Sequence, residues 1–315
     1  MDKIKIFKNK SKIIKTIREY FYRTGAIEVF TDIMNDFPNL DSNVYPVELE
    51  VFNEKNEKLK KYLHTSPELE MKKILSEIKT DIFQIVKVFR NYEGSPKHKI
   101  EFLMLEWYRV NFNLDDLMDD TQNIFIETAI SLNKKPVINF QGKVFDLRKS
   151  KKITVGEAFY KFTGIYPDNI QKMNDFLKKN EKYFEYSENW EELFFRIYAF
   201  YIEPNLGKEK LTFIYDFPPE LSAMAKVIDG KGKRFEAYIN GIELVNGYWE
   251  LNDPVELEKR LLDDIEKKKR EKGKEFYIDK KFIKSISNLP DSSGASLGID
   301  RWLMVLFNKT DIYSF

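Results

Sequence analysis

Residues 89–108, FRNYEGSPKHKIEFLMLEWY, constrain the fold of this chain more than any other segment. Ile82, Phe83, Ile85, Val86 and Val88 before it form an apolar run that reads as a strand, and a second such run begins Glu101-Phe102-Leu103-Met104-Leu105. The polar loop between them has Arg90 at one mouth and His98, Glu101 and Phe102 at the other. A strand–loop–strand with those ends suits a bent nucleotide, because arginine offers a permanent forked charge for a phosphate and an aromatic offers a face for a base. Near the other end of the chain, GASLGIDR (294–301) sets two glycines ahead of Arg301 at the start of an apolar helix, Trp302 to Leu306. That arrangement supplies a backbone able to approach a ligand, a helix N-terminus and a second phosphate clamp.

The chain of 315 residues is long enough to bury a full core. Its 52 Lys and Arg nearly cancel its 51 Asp and Glu, so no overall field favours nucleic acid. It contains no cysteine and two histidines, His64 and His98, which excludes disulfides, thiolate metal sites, cysteine nucleophiles and histidine-rich metal sites. Lysines at 3, 5, 8 and 10 break the apolar start of a signal peptide, and no apolar run approaches the roughly 20 residues of a membrane span. The expectation is a cytoplasmic protein without a membrane segment.

The spacing of Ile13, Ile14, Ile17, Tyr20 and Phe21 predicts a helix over 11–25, capped by Ser11 and stopped at Gly25, followed by a strand at 26–30. HTSPELE (64–70) opens a helix with Thr65 or Ser66 as cap. A helix is expected over 114–132, a mainly helical elaboration over about 133–225, and a charged helix over 254–272, whose lysines read as a solvated face. Strands set among helices without βαβ alternation indicate an α+β class, an antiparallel sheet flanked by helices.

Asn240-Gly241 between FEAYI and IELVNGYWEL is a hairpin signal. With a two-residue loop, Tyr238 opposes Glu243 and Glu236 opposes Val245, which puts Glu236 and Glu243 on one face as diagonal neighbours roughly 7–8 Å apart. Two carboxylates at that separation suit a divalent cation held among phosphate oxygens, and they equally suit a solvated face. Two candidate phosphate arginines in the same chain favour the cation. Taken singly, Phe102 and Tyr108 read as core aromatics, His98 as a loop histidine and Glu68 as a first-turn acid.

These segments, in this order and with HTSPELEMKKIL (64–75), LEWYR (105–109), EPNLGKEKLTFIYDFP (203–218) and LPDSSGASLGIDR (289–301), resemble the class II aminoacyl-tRNA synthetases of the lysyl type over nearly the whole chain. The likeness is greatest to the truncated paralogues that lack an anticodon-binding domain and act on elongation factor P. The resemblance implies a homodimer with a six- or seven-stranded antiparallel sheet, and one catalytic domain spanning residues 1–315. It also implies ATP- and Mg²⁺-dependent activation of lysine or (R)-β-lysine as an acyl-adenylate, then transfer to a lysine ε-amine of elongation factor P rather than to tRNA.

By the same resemblance, Arg90 binds the α-phosphate and carboxylate, and Arg301 the γ-phosphate. Phe102 lies under adenine, and Asn91, His98, Leu244 and Gly298 border the nucleotide. Glu236 and Glu243 match the Mg²⁺ ligands. Glu250 and Tyr108 match the pair for the terminal ammonium, Glu68 with Ser66 the contact to the other amine, and Asn246 and Ser296 the pocket wall. The chain departs from the family pattern at Tyr92, where a glutamate is usual, at Lys99-Ile100 in place of Asn-Pro, and at Thr31-Asp32, where the dimer strand carries a proline. At 296 the lysyl-tRNA synthetases have glycine and the elongation-factor ligases alanine, so Ser296 favours the ligase side while matching neither. The competing readings are a lysyl-tRNA synthetase-like core that acylates tRNA or another acceptor, and a catalytically silent regulatory paralogue.

Overall fold

The computed structural model describes residues 3–41 and 44–314. Its centre is a nine-stranded sheet in the order Ile27–Glu28, Ile82–Phe89, Glu101–Val110, Ser292–Gly298, Ile242–Trp249, Lys231–Ile239, Leu211–Phe217 and Ser150–Thr154, with Val227–Ile228 paired to Lys231–Ile239. The six central strands are antiparallel. The two end strands are short and run parallel to their neighbours, which the implied six or seven antiparallel strands did not include.

Side chains alternate across a pleated strand, so the register sorts this sheet into an oily face and a polar one. One row runs Phe235, Gly247, Ala295, Trp107, Phe83, and the next Ala237, Val245, Leu297, Leu105, Ile85. These rows join the main core with Ile13, Ile17 and Phe21 of the helix Lys3–Arg23, with Leu117 and Phe125 of the helix Leu114–Asn133, and with Trp302 and Leu303 of the helix Ile299–Leu306. Arg109 is buried at the edge of this layer, where Asp120 accepts from its Nε at 2.9 Å and Thr24 Oγ1 accepts from its Nη2 at 2.9 Å. The opposite face carries Arg234, Tyr248, Gly294, Tyr108 in one row and Glu236, Asn246, Ser296, Glu106, Gln84 in the next. A sheet with a sealed apolar face and a polar inner face has its site built into the polar one.

Several expectations from the sequence change. The first helix begins at Lys3, so Ser11 is mid-helix and caps nothing, and the strand after it is only Ile27–Glu28. The second helix runs Glu68–Ile78 from Pro67, without a side-chain cap on that residue; Ser66 Oγ accepts from the Glu68 N–H at 3.3 Å. The segment 133–225 is not helix alone. It holds the strands Val137–Phe140, Lys143–Asp146, Ser150–Thr154 and Leu211–Phe217, and the last two belong to the central sheet. Among the described residues its helical structure is Val155–Thr163, Ile170–Asn180 and Trp190–Ile197, a π-helical and a 3-10 turn after them, and a second 3-10 turn at Pro219–Leu221. The helix Pro254–Lys272 is not solvated all round: Lys268 is fully buried, with its Nζ 4.3 Å from the centre of the Tyr45 ring.

The hairpin turns at Asn240 and Gly241, both with positive φ (49° and 73°), as a type I′ turn requires. Tyr238 opposes Glu243 as expected. Ala237 then opposes Val245 and Glu236 opposes Asn246, because the register shifts by one residue at a β-bulge. The expected pairing of Glu236 with Val245 is therefore replaced, and Glu236 moves into the row of Asn246 and Ser296.

Candidate active site

Two cavities open on the polar face. The larger, of about 760 Å³, is lined by Ser66, Glu68, Tyr108, Asn246, Glu250 and Ser296, the six residues expected around the amino acid, and also by Glu106, Arg234, Tyr248 and Gly294. The smaller, of about 90 Å³, is lined by Arg90, His98, Phe102, Glu243, Leu244, Gly298 and Arg301 of the expected nucleotide set. The cavities share Arg90, Asn246 and Ser296, so Arg90 stands at their junction. Asn91 lines neither: its Oδ1 accepts from the Tyr92 N–H at 2.9 Å, and its own N–H donates to Tyr45 O.

The larger cavity is dominated by buried acids. Glu68, Glu106 and Glu250 are each at most 8% exposed. Burial pushes all three carboxyls up, and Glu250 reaches about 8 although Lys72 opposes the shift. Tyr108 OH donates to Glu106 Oε1 at 2.7 Å. Lys72 Nζ lies 2.6 Å from Glu68 Oε1 and 2.7 Å from Glu250 Oε2. The second contact is a charge contact without hydrogen-bond alignment, and Glu250 Oε2 is buried with no aligned donor. Burial acts to lower the Lys72 ammonium, but Glu250 and Glu68 outweigh it and hold the group above its ordinary range.

Arg234 orders the floor between the acids and the hairpin. Its Nε donates to Asn246 Oδ1 at 3.1 Å and its Nη2 to Glu236 Oε1 at 2.5 Å, while Asn246 Nδ2 donates to Tyr248 OH at 2.8 Å. Gly294 has a steric duty. A Cβ there would meet the Tyr108 ring at 2.4 Å and Glu250 Oε1 at 2.7 Å, so only glycine lets those side chains close over the strand.

In the smaller cavity the Arg90 guanidinium sits 5.2 Å from the centre of the Phe102 ring, its Nε donates to Thr65 O at 3.3 Å, and Nη1 is 3.9 Å from Glu93. Glu93, not Tyr92, supplies the acid beside Arg90: Glu93 lines the cavity, whereas Tyr92 has φ 64° and is exposed. Arg301 Nη1 donates to Glu243 O at 3.1 Å and lies 3.4 Å from Glu243 Oε2. His98 Nδ1 bonds Ser95 Oγ at 2.8 Å, and burial followed by Arg301, Arg90 and Lys97 pushes the imidazole down to about 4, leaving it neutral beside two guanidinium groups.

The expected metal pair is altered. Glu236 Oε1 accepts from Arg234, and its Oε2 accepts from Tyr198 OH at 2.8 Å and Tyr238 OH at 2.7 Å, so this buried carboxylate is engaged within the protein instead of standing free for a cation. Among the described residues no group of three or more His, Cys, Asp or Glu side chains is placed to hold a metal. Glu243, half-buried beside Arg301, is the available carboxylate. This donor set fits a hard cation that takes most of its oxygens from a nucleotide.

Sequence reasoning missed Lys72, Glu106, Arg234 and Glu203. Glu203 is pushed up to about 7 by burial and then by Glu243 and Glu236, which places a third acid near that pair. Its only sequence signal was its place at the head of EPNLGKEKLTFIYDFP.

Residues 2–314 match the family model described as tRNA synthetases class II (D, K and N). The chain is 41% identical over 302 residues to the elongation factor P–(R)-beta-lysine ligase homolog of Aquifex aeolicus (strain VF5), covering 96% of this chain and 95% of that one. It is 34% identical over 321 residues to the elongation factor P–(R)-beta-lysine ligase of Buchnera aphidicola subsp. Schizaphis graminum (strain Sg), covering 98% and 94%. The identity is 30% over 324 residues to the ligase of the same name from Haemophilus influenzae (strain PittGG), covering 99% and 95%. With the match running through every strand of the polar face and both cavities, the chain belongs to the class II tRNA synthetase family of the D, K and N type.

Proposed function

We propose that this protein is an ATP-dependent, AMP-forming ligase that activates lysine or (R)-β-lysine and transfers the acyl group to a lysine ε-amine of elongation factor P. One observation carries this reading: an acid-lined cavity and an arginine-lined cavity meet at Arg90. The acids suit the ammonium groups of a diamino acid, the arginines suit a triphosphate, and the junction is where a carboxylate would meet the α-phosphorus. There a carboxylate oxygen attacks phosphorus, the bond to pyrophosphate breaks, and Arg90 stabilises the charge that builds on the phosphoryl oxygens. The neutral acceptor amine then attacks the acyl carbon, the bond to AMP breaks and AMP leaves, and the nitrogen gives up a proton to solvent as the amide forms. Phe102 offers its face to adenine, and Arg301 holds the departing pyrophosphate after parting from Glu243. Mg²⁺, held by Glu243 and the nucleotide, would neutralise phosphate charge.

The relatives' names support the acceptor and the acyl group. Near-balanced charge supports a protein acceptor over tRNA, whose binding rests on phosphate neutralisation. Exposed Phe7, Tyr22, Ile27 and Phe30, along the first helix and the sheet edge after it, support a homodimer. No described helix is long and apolar enough to cross a membrane, and the reading places the enzyme in the cytoplasm with its acceptor. The test is amino-acid-dependent pyrophosphate exchange with lysine and (R)-β-lysine, then acylation of the host's elongation factor P. Exchange with neither amino acid would overturn the reading, and exchange without transfer would overturn the acceptor.

Because the Glu250 carboxyl stands at about 8, it is mostly protonated at pH 7 in the free cavity. A substrate ammonium placed beside it favours the ionised form and expels the proton. Substrate binding is therefore expected to release up to one proton, with affinity rising up to about tenfold per pH unit below pH 8 and levelling above it. Calorimetry in buffers of different ionisation enthalpy measures this; a buffer-independent heat would remove Glu250 from the amine contact.

A further inference from the structure

Lys72 stands behind the acid-lined cavity and is 1% exposed. It follows Glu68 by one helical turn on the helix Glu68–Ile78, so the two share a face. Glu250 comes from another part of the fold, just after the strand Ile242–Trp249. The single ammonium of Lys72 touches both carboxylates, at 2.6 Å and 2.7 Å, with Met224 Sδ at 3.5 Å as its remaining neighbour. Among the described residues this nitrogen is the only hydrogen-bond or ion-pair partner of either carboxyl group. The two carboxylates therefore have one shared tether. Charge points the same way. Among the described residues Lys72 is the one cation in ion-pair reach of Glu68 or Glu250, and buried carboxyl groups need compensating partners or protons.

We propose that Lys72 is a positioning residue that sets substrate specificity: it ties two of the acids lining the amino-acid site to one nitrogen and so fixes their separation, which matches the cavity to a carboxylic acid bearing two ammonium groups at a set spacing. This rests on the acyl-ligase reading. Without the Lys72 ammonium nothing holds the two carboxyl groups at a fixed distance, both lose the cation that favours their ionised form, and the amine contacts weaken.

The experiment is pyrophosphate exchange by wild type and Lys72→Met, with lysine, with norleucine (one amine fewer) and with ornithine (one methylene shorter). In the wild type, lysine is expected to exceed both analogues by at least tenfold in kcat/KM. In Lys72→Met the KM for lysine is expected to rise at least tenfold and the preference for lysine over norleucine to fall by a similar factor, with kcat and the KM for ATP within about twofold. An unchanged lysine-to-norleucine ratio overturns the proposal. So does a parallel loss for lysine, norleucine and ATP, which marks a purely structural lysine. The wild-type series decides the matter if Lys72→Met does not fold, since ornithine used as well as lysine is incompatible with a fixed spacing. Absence of exchange by the wild type with lysine and β-lysine alike would instead remove the ligase reading itself, and the role of Lys72 with it.

Discussion

Arg90→Ala is expected to leave a folded protein whose amino-acid-dependent pyrophosphate exchange is lower by on the order of 10²–10³, the usual effect of removing one preorganised donor from a developing charge. The structure separates this arginine from one that merely holds the fold. Arg109 is almost fully buried, with Asp120 at 2.9 Å and Asp81 at 3.2 Å. Arg90 has one hydrogen bond to a backbone oxygen, a ring beneath it, and Glu93 at 3.9 Å as the nearest acid in ion-pair reach among the described residues. Its forked charge is thus largely unanswered at the point where the two cavities join. Few contacts are lost on truncation, so the thermal transition should move little while the chemistry fails. Exchange rate and a thermal melt on the same preparation test both halves. A soluble Arg90→Ala protein with near wild-type exchange would remove the assignment of this residue and weaken the whole reading of the junction.

What the sequence revealed and what it hid follow from the range of the interactions. The strands Ile82–Phe89 and Glu101–Val110 and the turn at Asn240-Gly241 were legible because alternation and turn chemistry are local. The bulge that moves Glu236 opposite Asn246 left no such mark, and a shift of one residue was enough to place that acid among Arg234, Tyr198 and Tyr238. The strand Ser150–Thr154 escaped notice because SKKIT has one apolar residue with a buried side chain, and it joins the sheet only by pairing with Leu211–Phe217 far along the chain. Lys72 and Lys268 looked like ordinary charged positions on helices. Each is buried because partners arrive from distant segments: Glu250 for the first, Tyr45 and the Val44 carbonyl for the second. The expected site residues other than Asn91 and Glu236 fell into two cavities because they came with a family pattern; composition and periodicity alone would have left Glu68 a first-turn acid and Tyr108 a core aromatic.

Gly294→Ala is expected to raise the amino-acid KM by on the order of 10², the cost of displacing binding groups by about an ångström. The strand Ser292–Gly298 passes between Tyr108 and Tyr248, and its residue 294 lies in register with both. An added methyl would stand 2.4 Å from the Tyr108 ring and 2.7 Å from Glu250 Oε1, far inside van der Waals contact. Neither neighbour has room to retreat. Tyr108 is 2% exposed, packs in the cluster with Leu75, Ile82 and Leu251, and is bonded to Glu106, while Glu250 is fixed at 2.7 Å from Lys72. The strain must therefore fall on the two side chains assigned to the terminal ammonium, with a stability loss of about 1–3 kcal/mol from overpacking. The Arg301 end of the site should be spared, since it begins with the next helix, Ile299–Leu306. Separate measurement of KM for ATP and for lysine in this variant tests the argument. A rise confined to the amino acid fits the steric account. An unchanged amino-acid KM would mean that Tyr108 and Glu250 do not form the ammonium contact, and the acid-lined cavity would then need another ligand.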